Sequence, residues 1–231
     1  MDIMQRRKTQ ELIILEDLMD NISIIIRNKN EGDFIGFTLQ SCLDFFKDPE
    51  IIILNNNSTD DSMDIVQNFK NRTDIKTFNL KKYMPGAAIN KGVKYATRDY
   101  ILVLSAHTQI IEVDFKSVMN DLNKNLAVFG KQIPVHKGKK ITPGYIWTNF
   151  NDKPEVNKFS TLENRLFLHN AFCFYSRNTL IDFPMPENYA GKEDRFWAKY
   201  IVEKNKTYLY NPNYKCYHFW TKNGATWKGL V

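Results

Sequence analysis

The chain has 231 residues, 43% hydrophobic and 25% charged, with a formal net charge of +6. This length and balance support one full hydrophobic core and exclude disordered, collagen-like and disulfide-scaffold classes. The lysines are scattered, without the basic stripe of a nucleic-acid binder, while the mild positive bias suits a phosphate-bearing substrate or an anionic membrane surface.

Residues 1–20 carry mixed charges and a short apolar stretch, and are expected to form a helical lead-in. Ile22 to Ile26 is a β-branched run typical of a buried strand, ending in the polar loop Arg27 to Gly32. Ile35, Leu39, Cys42, Leu43 and Phe46 then share one helical face. Glu50 to Leu54 repeats the strand and ends in Asn55-Asn56-Asn57-Ser58-Thr59-Asp60, where Ser58 or Thr59 is placed to cap a helix bearing Ile65, Val66 and Phe69. Asp74 to Leu80, Tyr100 to Leu104 and Leu126 to Ile133 are further strands. Helical faces at Ile89, Val93 and Ala96 and at Phe115, Val118, Met119 and Leu122 separate them. Alternation of this regularity predicts a single α/β domain with a mostly parallel sheet and helices on both faces. From residue 134 to 165 prolines, glycines and polar residues predict a long loop, of a length that is usually functional or mobile. Strand returns at Leu166 to Tyr175 and Thr207 to Tyr210, and a helix opens at Glu193-Asp194. Aromatic residues crowd this second half, where they serve either core filling or stacking on a sugar or base.

Cys42, Cys173 and Cys216 show neither a CxxC pair nor zinc spacing, so a reducing, cytoplasmic setting is expected. No apolar run is long enough for a bilayer span and no signal peptide is apparent, so any membrane contact is expected to be peripheral.

Open α/β sheets bind ligands at the carboxyl ends of their strands, which singles out Ser105-Ala106-His107 after the buried run Tyr100 to Leu104. His107 is suited to ligate a cation or donate to a phosphate, and His218 is a second candidate. A lone histidine, however, also serves ordinary structure. The asparagine-rich loop at 55–60 suits a base or ribose edge, although turn chemistry explains it equally. Gly86 and Asn90 lie where a loop enters a helix, a place that favours phosphate. Glu193 and Asp194 open a helix, where the macrodipole favours carboxylates and keeps one ionised, as a general base must be.

Together these segments resemble family 2 inverting glycosyltransferases, whose Rossmann-like architecture is the glycosyltransferase A fold. The resemblance runs from about Asn21 to about Trp227. It rests on Arg27-Asn28-Lys29-Asn30-Glu31, on Leu54 to Asp60 with Asn55 where an aspartate is usual, and on Pro85 to Gly92. It also rests on Gly130-Lys131-Gln132, His169-Asn170-Ala171, and Glu193-Asp194 followed by Trp197-Ala198. Ser105-Ala106-His107 stands where the family usually carries Asp-x-Asp.

The resemblance implies residues 21–133 as a nucleotide-sugar-binding half and 134–231 as an acceptor-binding and catalytic half of the same domain. It implies donor contacts from Arg27, Asn28, Asn30, Glu31, Asn56, Ser58, Asp60, Gly86, Asn90, Ser105, Ala106 and His107, and acceptor contacts from Gln132, Asn170, Ala171 and Trp197. Asp194 inherits the role of catalytic base beside Glu193, and His107 and His218 that of metal or diphosphate ligands for Mg²⁺ or Mn²⁺, with metal dependence left open by the missing Asp-x-Asp. The implied partners are a nucleotide-sugar donor and a glycan or lipid-linked glycan acceptor in surface polysaccharide synthesis, with no nucleic acid. The 134–160 segment is expected to close over the donor. Two rivals remain at this stage: a sugar-nucleotide nucleotidyltransferase and a non-catalytic nucleotide- or sugar-binding domain.

Overall fold

A computed structural model describes residues 21–141, 146–222 and 224, so the expected lead-in at 1–20 lies outside the described residues. The strands are β1 (Ile22–Asn28), β2 (Glu50–Asn55), β3 (Ile75–Asn79), β4 (Tyr100–Ser105), β5 (Thr108–Glu112) and β6 (Ala127–His136). Then follow β7 (Lys139–Lys140), β8 (Glu155–Val156), β9 (Phe159–Ser160), β10 (Arg165–Leu166), β11 (Phe172–Ser176) and β12 (Tyr208–Phe219). The helices are α1 (Gly32–Phe45), α2 (Ser62–Phe69), α3 (Pro85–Tyr95), α4 (Phe115–Leu122), α5 (Arg177–Asp182) and α6 (Glu193–Glu203).

The main sheet runs β3-β2-β1-β4-β11-β6-β12-β5. Its first four strands are parallel, β11 is antiparallel to both neighbours, and β12 runs parallel to β6 but antiparallel to β5. Because β1 and β2 are covered on both sides, nearly every residue is buried, and an unbroken isoleucine run is the natural sequence for them. Successive side chains part to opposite faces. Ile25, Ile52, Leu54 and Val103 pack with Ala88, Ile89 and Val93 of α3 and Trp197, Ala198 and Ile201 of α6. Ile24, Ile26, Ile53 and Leu104 pack with Ile35, Leu39 and Cys42 of α1, Val66 of α2 and Val118 of α4. The expected mostly parallel sheet with helices on both faces is therefore what forms, as one continuous sheet.

Three local expectations change. Helix α2 begins at Ser62, not after Ser58 or Thr59, and the Asp60 carboxylate accepts from the Ser62 N–H and hydroxyl. Strand β5 was not foreseen, and β12 extends far past Tyr210 with a register shift between Asn211 and Lys215. The described part of 134–165 is not a long loop. It forms the β6–β7 hairpin, a 3₁₀ turn at Ile146–Asn149 and short strands, with Trp147, Phe150, Lys158 and Ser160 buried. Phe129, Phe150, Phe167, Tyr208 and Tyr210 pack ring against ring, so these aromatics fill the core.

Candidate active site

A cleft of about 450 Å³ opens at the carboxyl ends of β1, β2 and β4. Parallel pairing aligns Arg27 with Leu54 and with Ser105, so residues at or just beyond three strand ends converge on it. Strand β1 contributes Arg27 and Asn28, the segment after β2 contributes Asn56, the last residue of β4 is Ser105, and the turn after it contributes His107. Opposite chain segments complete the walls: Tyr83 to Pro85 before α3, His169 to Ala171 before β11, and Ala190 to Asp194 at the start of α6. Gly191 has φ of +71°, a backbone conformation costly for residues with a Cβ, and it turns the chain into α6 beside the cleft.

Asp194 is the partly buried carboxylate of the site. Its Oδ2 accepts the Asn170 N–H at 3.4 Å and its Oδ1 the Arg195 N–H at 2.7 Å. Burial drives its pKa up and the neighbouring Glu193 carboxylate adds to this, while the two N–H groups and Arg165 pull it down; the outcome is a rise to about 7. The carboxylate is therefore not held firmly ionised, because loss of water and the adjacent Glu193 outweigh the N–H groups and Arg165 that favour its charge. A base poised near 7 is well matched to taking a proton from a hydroxyl. Glu193, expected beside it as catalytic, is instead committed to Arg27: Nη1 and Oε1 are 2.8 Å apart, with side-chain exposures of 14% and 5%.

The opposite wall carries buried polar atoms without hydrogen-bond partners. Asn28 Oδ1, Glu31 Oε2 and His107 Nδ1 are such atoms, and all three residues line the cleft. Orphaned buried polar atoms are uncommon, and three in one wall mark a surface prepared for a polar ligand. His107 Nδ1 stands 3.3 Å from Glu31 Oε1.

The two candidate histidines do meet. Strand β12 pairs with β5 so that His218 lies opposite Thr108, and the Phe219 N–H donates to the His107 carbonyl at 2.9 Å. The imidazole centroids are 4.8 Å apart. Gln132 bridges two other ring nitrogens: its Oε1 is 2.8 Å from His218 Nδ1 and its Nε2 is 3.0 Å from His169 Nδ1. With the amide so oriented, His218 donates and His169 accepts, which fixes opposite tautomers on the two rings. Both imidazoles are held neutral by burial, His169 with its pKa pulled down to about 3 and His218 well below its usual range. Among the described residues no three His, Cys, Asp or Glu side chains are placed to hold a metal, and the nearest carboxylate, Glu31, brings only one further acidic group.

Several expected contacts belong to the scaffold. Ala106 is fully buried against α1, its carbonyl accepting from Thr38, so only Ser105 and His107 of that tripeptide face the cleft. Asn30, Ser58 and Asp60 tie the β1 loop to the β2 loop: Ser58 Oγ accepts the Asn30 N–H, Asn30 Oδ1 accepts the Thr59 N–H, and Asp60 accepts the Gly32 N–H. Gly86 packs against the 185–187 segment, where a Cβ would lie 2.1 Å from the Pro186 carbonyl; glycine permits that crossing. Asn90 clamps the same segment, bonding the Met185 N–H and carbonyl and Glu187, each at 2.9 Å. Trp197 is fully buried, edge-on to Tyr175 and donating to the Phe183 carbonyl, so it is core and not acceptor-side. Gln132 likewise acts through the two histidines without lining the cleft. Asn170 and Ala171 do line it, Ala171 also accepting the Ser105 N–H. Tyr83, Met84 and Ala190 were missed; nothing in their sequence context sets them apart from ordinary loop residues.

The sequence matches the family model for glycosyl transferase family 2 over residues 23–183. It is 24% identical over 213 residues to a GalNAc(5)-diNAcBac-PP-undecaprenol beta-1,3-glucosyltransferase of Campylobacter jejuni, covering 90% of this chain and 68% of that enzyme. It is 32% identical over 109 residues to the poly-beta-1,6-N-acetyl-D-glucosamine synthase of Staphylococcus epidermidis, covering 46% and 26%. Among solved structures, S. aureus TarS 1-349 in complex with UDP-GlcNAc superposes with a TM-score of 0.67 at 21% identity, covering 91% of this chain and 62% of that one. The mannosyltransferase PcManGT from Pyrobaculum calidifontis, in complex with GDP-Man and Mn²⁺, gives a TM-score of 0.64 at 16% identity, covering 88% and 58%. The chain thus spans about a quarter of the synthase and less than two thirds of either solved chain. Both solved structures share the glycosyltransferase A architecture seen here. Over most of its length, the chain belongs to glycosyl transferase family 2.

Proposed function

We propose that this chain transfers a sugar, with inversion, from a nucleoside-diphosphate sugar to a hydroxyl of a glycan or lipid-linked glycan. One observation carries the proposal: a carboxylate poised near neutrality, Asp194, shares a strand-end cleft with Arg27, Lys29 and His107. The donor class is supported by TarS and PcManGT, whose solved complexes hold UDP-GlcNAc and GDP-Man. The acceptor class is supported by the Campylobacter relative, whose name specifies a polyprenyl-diphosphate-linked glycan. The three unbridged, buried cysteines fit a reducing compartment such as the cytoplasm.

In this scheme Asn28 and Asn56 face the nucleoside. Arg27 and Lys29, with the His107 imidazole, oppose the charge that grows on the departing diphosphate. Charge stabilisation of this kind contributes about 3 kcal/mol per well-placed donor in typical sites. Asp194 takes the proton of the acceptor hydroxyl as that oxygen bonds to the anomeric carbon. The bond from carbon to the diphosphate oxygen breaks on the opposite face, and the nucleoside diphosphate leaves with its electron pair. Asn170 and Ala171 border the acceptor, and the Arg27–Glu193 pair holds the start of α6 against β1.

The test is incubation with a panel of UDP- and GDP-sugars and separate measurement of nucleoside diphosphate and pyrophosphate. Release of nucleoside diphosphate is expected. Pyrophosphate release would identify a nucleotidyltransferase instead, and donor binding without turnover would identify a binding module.

A further inference from the structure

We infer that the β6–β7 hairpin and the aromatic residues beside it form a docking surface for an anionic phospholipid bilayer. The hairpin tip is His136-Lys137-Gly138-Lys139-Lys140, and the three lysines are exposed. Among the described residues none of the three is in an ion pair. Aromatic side chains continue directly from this charge. Lys140 Nζ lies 5.7 Å from the Tyr217 ring centre, and Tyr217 is 6.4 Å from Phe219. Phe219 stacks on Phe34 at 5.0 Å and stands 6.2 Å from Phe37, which is 55% exposed. On the other side of β12, Trp220 packs edge-on to His136 at 5.1 Å.

Half-exposed rings beside free lysines are the pairing that suits a bilayer interface. The rings occupy the headgroup boundary, and the lysine stems bury their methylenes while their ammonium groups meet lipid phosphate. Charge complementarity chooses the partner: the chain carries +6 overall, and Asp33 is the exposed acid adjoining Phe34. A second copy of the chain would bring the same lysines to face one another. The surface also lies next to the cleft, because Phe219 and His107 share a backbone hydrogen bond. The inference itself rests on the patch and holds whether or not the cleft transfers sugar.

The experiment is co-sedimentation of the 231-residue chain with vesicles of phosphatidylcholine alone or mixed with phosphatidylglycerol. Wild type, the triple variant K137Q/K139Q/K140Q and Phe37→Ser are compared, with circular dichroism confirming that each is folded. Wild type is expected to bind the phosphatidylglycerol vesicles, to be released by salt, and to ignore pure phosphatidylcholine. Each lysine removed weakens binding about fivefold, so the triple variant loses on the order of a hundredfold. Phe37→Ser weakens binding at fixed salt. Donor turnover or nucleoside diphosphate affinity, measured without vesicles, stays unchanged in all three proteins. Failure of wild type to bind the anionic vesicles would overturn the inference, as would equal binding by the triple variant. Equal affinity for a single-stranded oligonucleotide, or a wild-type dimer that Phe37→Ser splits, would assign the surface to another partner.

Discussion

Removing Arg27 should cost far more stability than its position at a cleft suggests. The guanidinium reaches Glu193 at 2.8 Å, and the Glu193 side chain is 5% exposed with Asp194 next in sequence. Attraction between such a pair is on the order of 4 kcal/mol at an effective dielectric of about 20. Losing one partner of a buried pair typically costs 3–5 kcal/mol, roughly what Arg27→Met should lose, because an uncompensated carboxylate stays behind. In a domain of this size that lowers Tm by about 6–20 °C. Glu193→Gln alone should lose less, about 1–2 kcal/mol, because Arg27 keeps Asp194 nearby and is more exposed. The double variant removes both charges and should recover, leaving a coupling of about 2 kcal/mol or more. Urea unfolding of the four proteins at one pH reads the cycle. Strict additivity would refute the claim that this pair holds α6 against β1.

Burial of Asp194 sets a pH signature. Activity should climb with pH through about 7 and level off above it. The same raised pKa makes ionisation a cost to the fold that begins above about pH 4, where the unfolded carboxyl loses its proton, grows up to about pH 7 and is constant beyond it. Asp194→Asn should therefore gain roughly 2–3 kcal/mol of stability relative to wild type on going from pH 5 to pH 8, as read from paired thermal melts; a gain no larger at pH 8 than at pH 5 would refute this. Asn90→Ala should lose about 2 kcal/mol with its bonds to Met185 and Glu187, while titration calorimetry finds nucleoside diphosphate affinity unchanged. His107→Ala should weaken that affinity about tenfold, the loss of one buried polar contact, and undiminished binding would remove His107 from the site.

The strands that build the donor side were legible because parallel strands buried on both faces demand unbroken apolar runs such as Ile22 to Ile26 and Ile51 to Leu54. Their carboxyl ends then located Arg27, Asn28, Asn56 and His107. The encounter of His107 with His218 was not legible, since it depends on β5 and the far half of β12. There, buried and half-exposed residues alternate without a long apolar run. The contacts of Gly86 and Asn90 with the 185–187 backbone were not legible, because a glycine and an amide at a helix entrance look the same whether they meet a phosphate or a neighbouring chain segment. Ala106 and Trp197 followed their motifs into the expected site, but their side chains turn to the core. The 134–165 segment looked like a loop by composition, and Trp147 and Phe150 instead anchor it to the aromatic core.

Asp194→Asn offers the most direct trial, with sugar transfer and nucleoside diphosphate affinity measured on the same preparation. Transfer should fall by roughly a hundred- to ten-thousandfold, in line with loss of a general base, while affinity stays within about a factor of two. A variant that turns over like wild type would mean the proton leaves the acceptor by another route, and the chemistry assigned to this cleft would be wrong.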